Sequence, residues 1–312
     1  MEKWIFENWL SPGDIVMLTA AVRDLHRAYP GRFLTDVRTS CPALWEGNPH
    51  LTPLNPEDAG VRSMVCHYPL IHRSNSTPYH FIHGFIEYLN DELGLRIRPT
   101  EFKGDIHLDE AEKAPLDCVR TFSDQGQPYW IIVAGGKYDY TIKWWHRRRW
   151  QAVVDHFRGR LPFVQVGEKG HYHPPLAGVL DMRGKTTLRD LIRLVYHADG
   201  IVCPVTLHMH LAAAVPLPAG RKRLRHCVVV AGGREPAHWE QYPGHHFLHT
   251  IGQLDCCAFS GCWKARTVPL GDGSTLDRPG SVCCTLAHEG IPKCMEMISA
   301  DYVSRLIEGE IS

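Results

Sequence analysis

Short apolar runs that stop at glycine, each followed by a segment with helical apolar spacing, recur through most of this chain. The stretches 4–9, 32–37, 61–67, 129–134, 163–166, 200–203 and 227–231 read as strands. Between and after them, 15–29, 79–93, 144–157 and 188–197 read as helices, another starts at His210 and runs to 215, and 301–307 closes the chain. A strand that is apolar at nearly every position must be covered on both faces, and intervening helices do the covering. The pattern therefore predicts an α/β protein with mainly parallel sheets. Ligands of such sheets bind beyond the carboxyl ends of the strands. Three glycine loops fall there, at 135–136, at 167 and at 232–233.

The chain has 312 residues, which suggests two domains. A polar stretch at 109–127, with little patterning, reads as the linker region. Lysine plus arginine number 34 and so do aspartate plus glutamate, a balance that argues against a protein devoted to a phosphate backbone. No run of 18 apolar residues exists, so no transmembrane helix is expected. The first ten residues lack the pattern of a signal peptide, which points to the cytoplasm.

Several constellations carry chemistry, each with an ordinary structural reading beside it. In Ser11-Pro12-Gly13-Asp14, glycine allows close approach and aspartate starts a helix; Asp14 is a catalytic carboxylate or simply a helix cap. Gly135-Gly136-Lys137 and Lys143-Trp144-Trp145 could hold a diphosphate, although neither a Walker loop nor a full dinucleotide fingerprint is present. Their plain reading is a turn before a solvated basic face, Arg147-Arg148-Arg149. His208 and His210 follow a strand; they contact an anion at a helix start, ligate a metal, or are satisfied by backbone groups. Arg234-Glu235 sits in a glycine loop, where arginine suits phosphate and glutamate suits sugar or ribose hydroxyls; the alternative is a surface turn with an exposed ion pair.

Of the eleven cysteines, six lie between Cys256 and Cys294. In a long chain in a reducing compartment, clustered thiols more often bind metal than form disulfides. Cys257, Cys262, Cys283 and Cys294 could supply four thiolates to a structural iron or zinc, with Cys256 or Cys284 as replacements for Cys257 or Cys283. His245, His246 and His249 precede the cluster and could join it or line a cleft.

These residues resemble a known family. Gly13-Asp14-Ile15-Val16, Ala20-Ala21-Val22-Arg23 and Tyr29-Pro30 look like the opening of the ADP-heptose heptosyltransferases, glycosyltransferase family 9. Lys143-Trp144-Trp145 is similar to their lysine–x–tryptophan donor loop, and Gly167-Glu168 to a glycine loop after the next strand. The segment 206–214 resembles their Asp-Thr-Gly-x-x-His segment, with Val205 and Leu207 in place of its aspartate and glycine, and 232–236 resembles a late donor loop. The cysteine segment looks like that of the branch acting on autotransporter proteins, which carries an iron site. The resemblance implies a GT-B fold, two Rossmann-like domains facing a cleft. Residues 1–118 would form the acceptor domain and 119–312 the donor domain, including a cysteine-rich metal segment at 252–294.

The resemblance further implies inverting transfer of a sugar, a heptose, from an ADP-sugar to an acceptor hydroxyl on a glycan, a protein or a small molecule. Asp14 would be the base, and Gly13 would allow close approach beside it. Gly135, Gly136, Lys143, Thr206, His210 and Arg234 would hold the diphosphate, and Glu168 the ribose or base. A homo-oligomer is compatible with this reading, and no nucleic-acid partner is expected. Three rivals remain: a metal-dependent hydrolase using His208 and His210, a nucleic-acid-binding module built on 147–149 and 221–225, and a GT-B scaffold without catalysis.

Overall fold

The computed structural model describes residues 1–71, 73–122, 127–221, 223–283 and 288–311. Strands β1 (Glu2–Asn8), β2 (Phe33–Thr39) and β3 (Val61–Val65) form a parallel sheet in the order β2-β1-β3. Helix α1 (Pro12–Ala28) packs against β2, and α2 (Ile82–Leu93) packs on α1. Pro12 starts α1, since a first-turn position needs no N–H, and Gly94 in the left-handed conformation ends α2. Helix α3 (Asp117–Phe122) lies inside the stretch read as linker.

The second sheet contains β4 (Trp130–Ile132), β5 (Phe163–Gln165), β6 (Leu180–Asp181), β7 (Gly200–Pro204), β8 (His226–Gly232) and β9 (His245–His249). All pair parallel, in the order β6-β5-β4-β7-β8-β9. Counted from β4, this is the 3-2-1-4-5-6 order of dinucleotide-binding sheets. Strand order reverses between β4 and β7, so a crevice opens at their carboxyl ends. Helices α4 (Arg147–His156), α5 (Leu188–His197) and α6 (Leu207–Ala214) connect the strands. The Thr187/Asp190 capping box starts α5. Short helices α7 (Ala237–Glu240) and α8 (Lys293–Glu296) precede the closing helix α9 (Ala300–Ile311).

Alternation along the strands divides the core. Ile131, Val164, Ile201 and Val229 face a cluster continuous with the first sheet and α1. Trp130, Ile132, Val202 and Val230 face a second cluster with Trp150 of α4 and Val303 and Ile307 of α9. Helix α1 packs on α6, so the two halves meet through apolar side chains behind the crevice. Helix α6 begins three residues earlier than the histidine spacing suggests, because Thr206 is its cap residue. The histidines at 245, 246 and 249 lie on the edge strand β9. Among the described residues, no helix is long and apolar enough to cross a membrane.

Candidate active site

The crevice is a cavity of about 560 Å³. Each strand that points into it ends in a loop contributing to the wall. Gly13 and Asp14 follow β1, and Gly135, Gly136 and Lys143 follow β4. Glu168 follows β5, Thr206 and His210 follow β7, and Arg234 follows β8. The structure thus brings together every residue singled out for catalysis or donor binding. Lys137 and Glu235, from the same loops, also line the wall, and the structure adds Tyr68, Trp239 and Glu240.

Asp14 stands on the third residue of α1, not at its cap, which is Ser11. Its carboxylate accepts from the Ser11 backbone N–H and from the Tyr68 hydroxyl. Burial raises its pKa, outweighing those two hydrogen bonds and the Lys143 and Lys137 charges. Lys137, from the opposite half, donates to Ser11 Oγ at 3.0 Å and ties the two walls beside Asp14. Gly13 is required by packing: a Cβ there would sit 2.9 Å from His210 Cδ2 and 3.2 Å from Nε2. The glycine loop after β4 is equally constrained. At φ +90°, a Cβ on Gly135 would lie 1.9 Å from the Tyr172 carbonyl oxygen. Tyr172 exchanges backbone hydrogen bonds with Gly136 and stacks on Trp144 at 4.2 Å between centroids.

The ion pair at 234–235 is buried, not exposed as a surface turn would have it. Glu235 is 1% exposed; Lys143 Nζ reaches its Oε1 at 2.7 Å, and Arg234 binds the same oxygen. Burial works to raise the Glu235 carboxyl, but Arg234 and Lys143 outweigh it and hold it below the usual range. Its other oxygen has no protein partner. Glu240, five residues on, behaves oppositely. Burial, then the Glu235 and Asp14 charges, lift it to about 8. His208 and His210 are both buried, which holds each imidazole down at about 3 and therefore neutral. Helix α6 presents its first turn to the cavity through Thr206, Leu207 and His208, an arrangement suited to an anion. Glu168 stands at the rim, 70% exposed, beside His171.

The cysteine-rich segment braces these cations. Ala265 O accepts from Ile142 N–H, and Thr267 bonds Thr141, fixing the approach to Lys143. Lys264 O accepts from Arg234 Nε at 2.7 Å, and the Cys262 and Trp263 N–H groups donate to Gly233 O and Arg234 O. Cys257 and Cys294 flank Gly233. Burial pushes the Cys294 thiol up to about 12, with Cys262, Cys283 and Cys257 adding to the shift. Among the described residues, no group of three or more His, Cys, Asp or Glu side chains converges closely enough to hold a metal ion. Cys284 lies outside the described residues.

The sequence matches no family model and no curated protein. Solved structures do match. A glycosyl transferase family 9 protein from Veillonella parvula superposes with a TM-score of 0.64 at 13% identity, covering 99% of this chain and 97% of the other. The ADP-heptose LPS heptosyltransferase II of E. coli gives 0.62 at 14% identity, covering 99% and 98%. The dodecameric iron-containing heptosyltransferase TibC, solved with ADP-D-β-D-heptose, gives 0.64 at 15% identity, covering 99% of this chain and 76% of the other. The chain therefore has the fold of the family 9 heptosyltransferases, an α/β architecture of two parallel sheets.

Proposed function

We propose that this chain is an inverting glycosyltransferase that moves a heptose from an ADP-sugar to an acceptor hydroxyl. One observation carries the reading: Asp14, on a helix of the first sheet, shares a cavity with Lys143, Arg234 and the first turn of α6 from the second. The likeness to heptosyltransferases, one of them solved with ADP-D-β-D-heptose, supports the choice of donor.

The acceptor hydroxyl attacks the anomeric carbon from the face opposite the diphosphate. Its proton passes to the Asp14 carboxylate as the new carbon–oxygen bond forms. The bond to the diphosphate oxygen breaks, and ADP departs with the electron pair. Lys143, Arg234, Thr206 and the N–H groups of the first α6 turn stabilise the charge that develops there. Gly135 and Gly136 let the backbone approach the phosphates, and Glu168 at the rim holds the ribose or base. His210, held neutral, meets the ligand as a hydrogen-bonding group. The acceptor is a glycan, a protein side chain or a small molecule.

We assign residues 1–118 to the acceptor half and 119–312 to the donor half. Cys257, Cys262, Cys283 and Cys294 would hold an iron or zinc ion. Thiolates suit either ion, and the iron-containing TibC supports the reading, but the described thiols do not converge on one point in the structure, so the segment would have to close around the ion. Bound there, the metal would stiffen the segment that braces Lys143 and Arg234. The reading puts the enzyme in the cytoplasm, where nucleotide sugars are made. The dodecameric TibC supports a homo-oligomer.

The test is release of ADP from ADP-D-β-D-heptose in the presence of candidate acceptors. Asp14→Ala is expected to abolish transfer, a loss of at least about a hundredfold, while ADP affinity stays near wild type. Unchanged turnover in that variant removes Asp14 as the base.

A further inference from the structure

Glu240, which the transfer step leaves unused, forms a pair with His210 in the cavity wall. Glu240 ends α7, which is held against the first half by Phe81 N–H donating to Trp239 O at 2.9 Å and by the Phe81–Trp239 stack. Its Oε2 is buried and has no hydrogen-bond partner. That oxygen lies 3.5 Å from His210 Nε2, too far for a firm hydrogen bond. Both residues line the cavity, and His210 packs against Gly13, next to Asp14.

Tyr242 stands behind His210 and bears on its tautomer. Tyr242 Oη lies 3.2 Å from Met17 Sδ and 2.7 Å from His210 Nδ1. With the Tyr242 proton on Met17 Sδ, the tyrosine oxygen accepts from Nδ1–H and Nε2 keeps a lone pair facing Glu240; with that proton on Nδ1, Nε2–H faces Glu240 instead. Glu240 carries a proton at neutral pH, because burial and the neighbouring Glu235 and Asp14 charges oppose its ionisation. In the first of these tautomers the wall offers one acceptor and one donor side by side. A phosphate oxygen, having no proton, satisfies only the carboxyl. A hydroxyl satisfies both, donating to Nε2 and accepting from the carboxyl. Lys143 and Arg234 are meanwhile drawn to Glu235 Oε1, so the anionic and the polyhydroxyl parts of a ligand have separate partners.

We propose that the His210–Glu240 pair binds a hydroxyl group of the transferred sugar and so determines which sugar the cavity accepts. The inference rests on the donor reading above. Its test compares ADP with ADP-D-β-D-heptose by calorimetry in wild type, Glu240→Ala and Glu240→Gln. Wild type is expected to bind the sugar nucleotide more tightly than ADP. Glu240→Ala should lose about tenfold in affinity for ADP-D-β-D-heptose and less than about twofold for ADP. Glu240→Gln, whose neutral amide still donates, should recover most of the loss and serves as the control for folding. Equal losses for both ligands in Glu240→Ala, no loss at all, or a glutamine variant as weak as the alanine one would overturn the assignment while leaving the donor reading intact. Wild type binding neither nucleotide would overturn both.

Discussion

At the residue scale, the site is governed by which carboxyl groups keep their protons. Asp14 must be ionised to act as a base, yet burial raises its pKa. The account therefore predicts that kcat/KM falls as pH drops through a value above the ordinary aspartate range, read from a pH–rate profile. Asp14→Asn should abolish that limb together with the activity. Glu240 has a consequence for stability. Its folded pKa, about 8, stands above its ordinary value of 4.5, so the folded state holds the extra proton between those limits. Stability falls as pH rises through this window and levels off above it. The melting temperature of Glu240→Gln should accordingly gain on wild type from pH ~4.5 to about 8, and a constant difference would contradict the burial argument. The cavity residues picked from spacing and resemblance all line one cavity, because each lies in a loop or helix that follows the carboxyl end of a strand. Glu240, Tyr68 and Tyr242 were not legible, since their importance comes from burial against the other half of the molecule. The apolar neighbours of Glu240 in Ala237-His238-Trp239-Glu240 were the available signal.

At the element scale, glycine positions and the cysteine segment do the shaping. Gly135→Ala adds a Cβ 1.9 Å from a carbonyl oxygen at a left-handed φ, so it should cost about 2 kcal/mol or more and weaken nucleotide binding as the loop shifts. Denaturant unfolding and titration measure the two effects. Cys262→Ser should lower the melting temperature more than it lowers turnover per folded molecule, because the segment braces Arg234 and Lys143 from behind. Wild-type stability in that variant, or a metal-free native protein, would sink the structural-metal proposal. Strong strands such as β7 and β8 were readable as apolar runs bounded by glycine. The edge strand β9 was not, since three of its five residues are histidine and its pairing to β8 supplies what its sequence lacks. Helix boundaries moved by a few residues where caps, such as Thr206 before α6, fall outside the apolar pattern.

At the scale of the whole molecule, the two parallel sheets and the glycine loops at their carboxyl ends followed from the alternation of strands and helices. The strand order did not, because it depends on which right-handed crossovers the chain takes. That order creates the reversal between β4 and β7 where the cavity opens. Apolar packing of α1 on α6 closes the back of the crevice, and Asp14 shares the cavity with Lys143 and Arg234. On the proposed reading this cavity takes a nucleoside diphosphate joined to a polyhydroxyl group, and the most direct measurement is a calorimetric titration of the purified protein with ADP, with UDP and GDP as controls. The account predicts that ADP binds, and binds at least about tenfold more tightly than either control, a difference of about 1.4 kcal/mol. Preference for UDP or GDP would contradict the ADP-sugar assignment, and binding of none of the three would contradict the donor cavity itself.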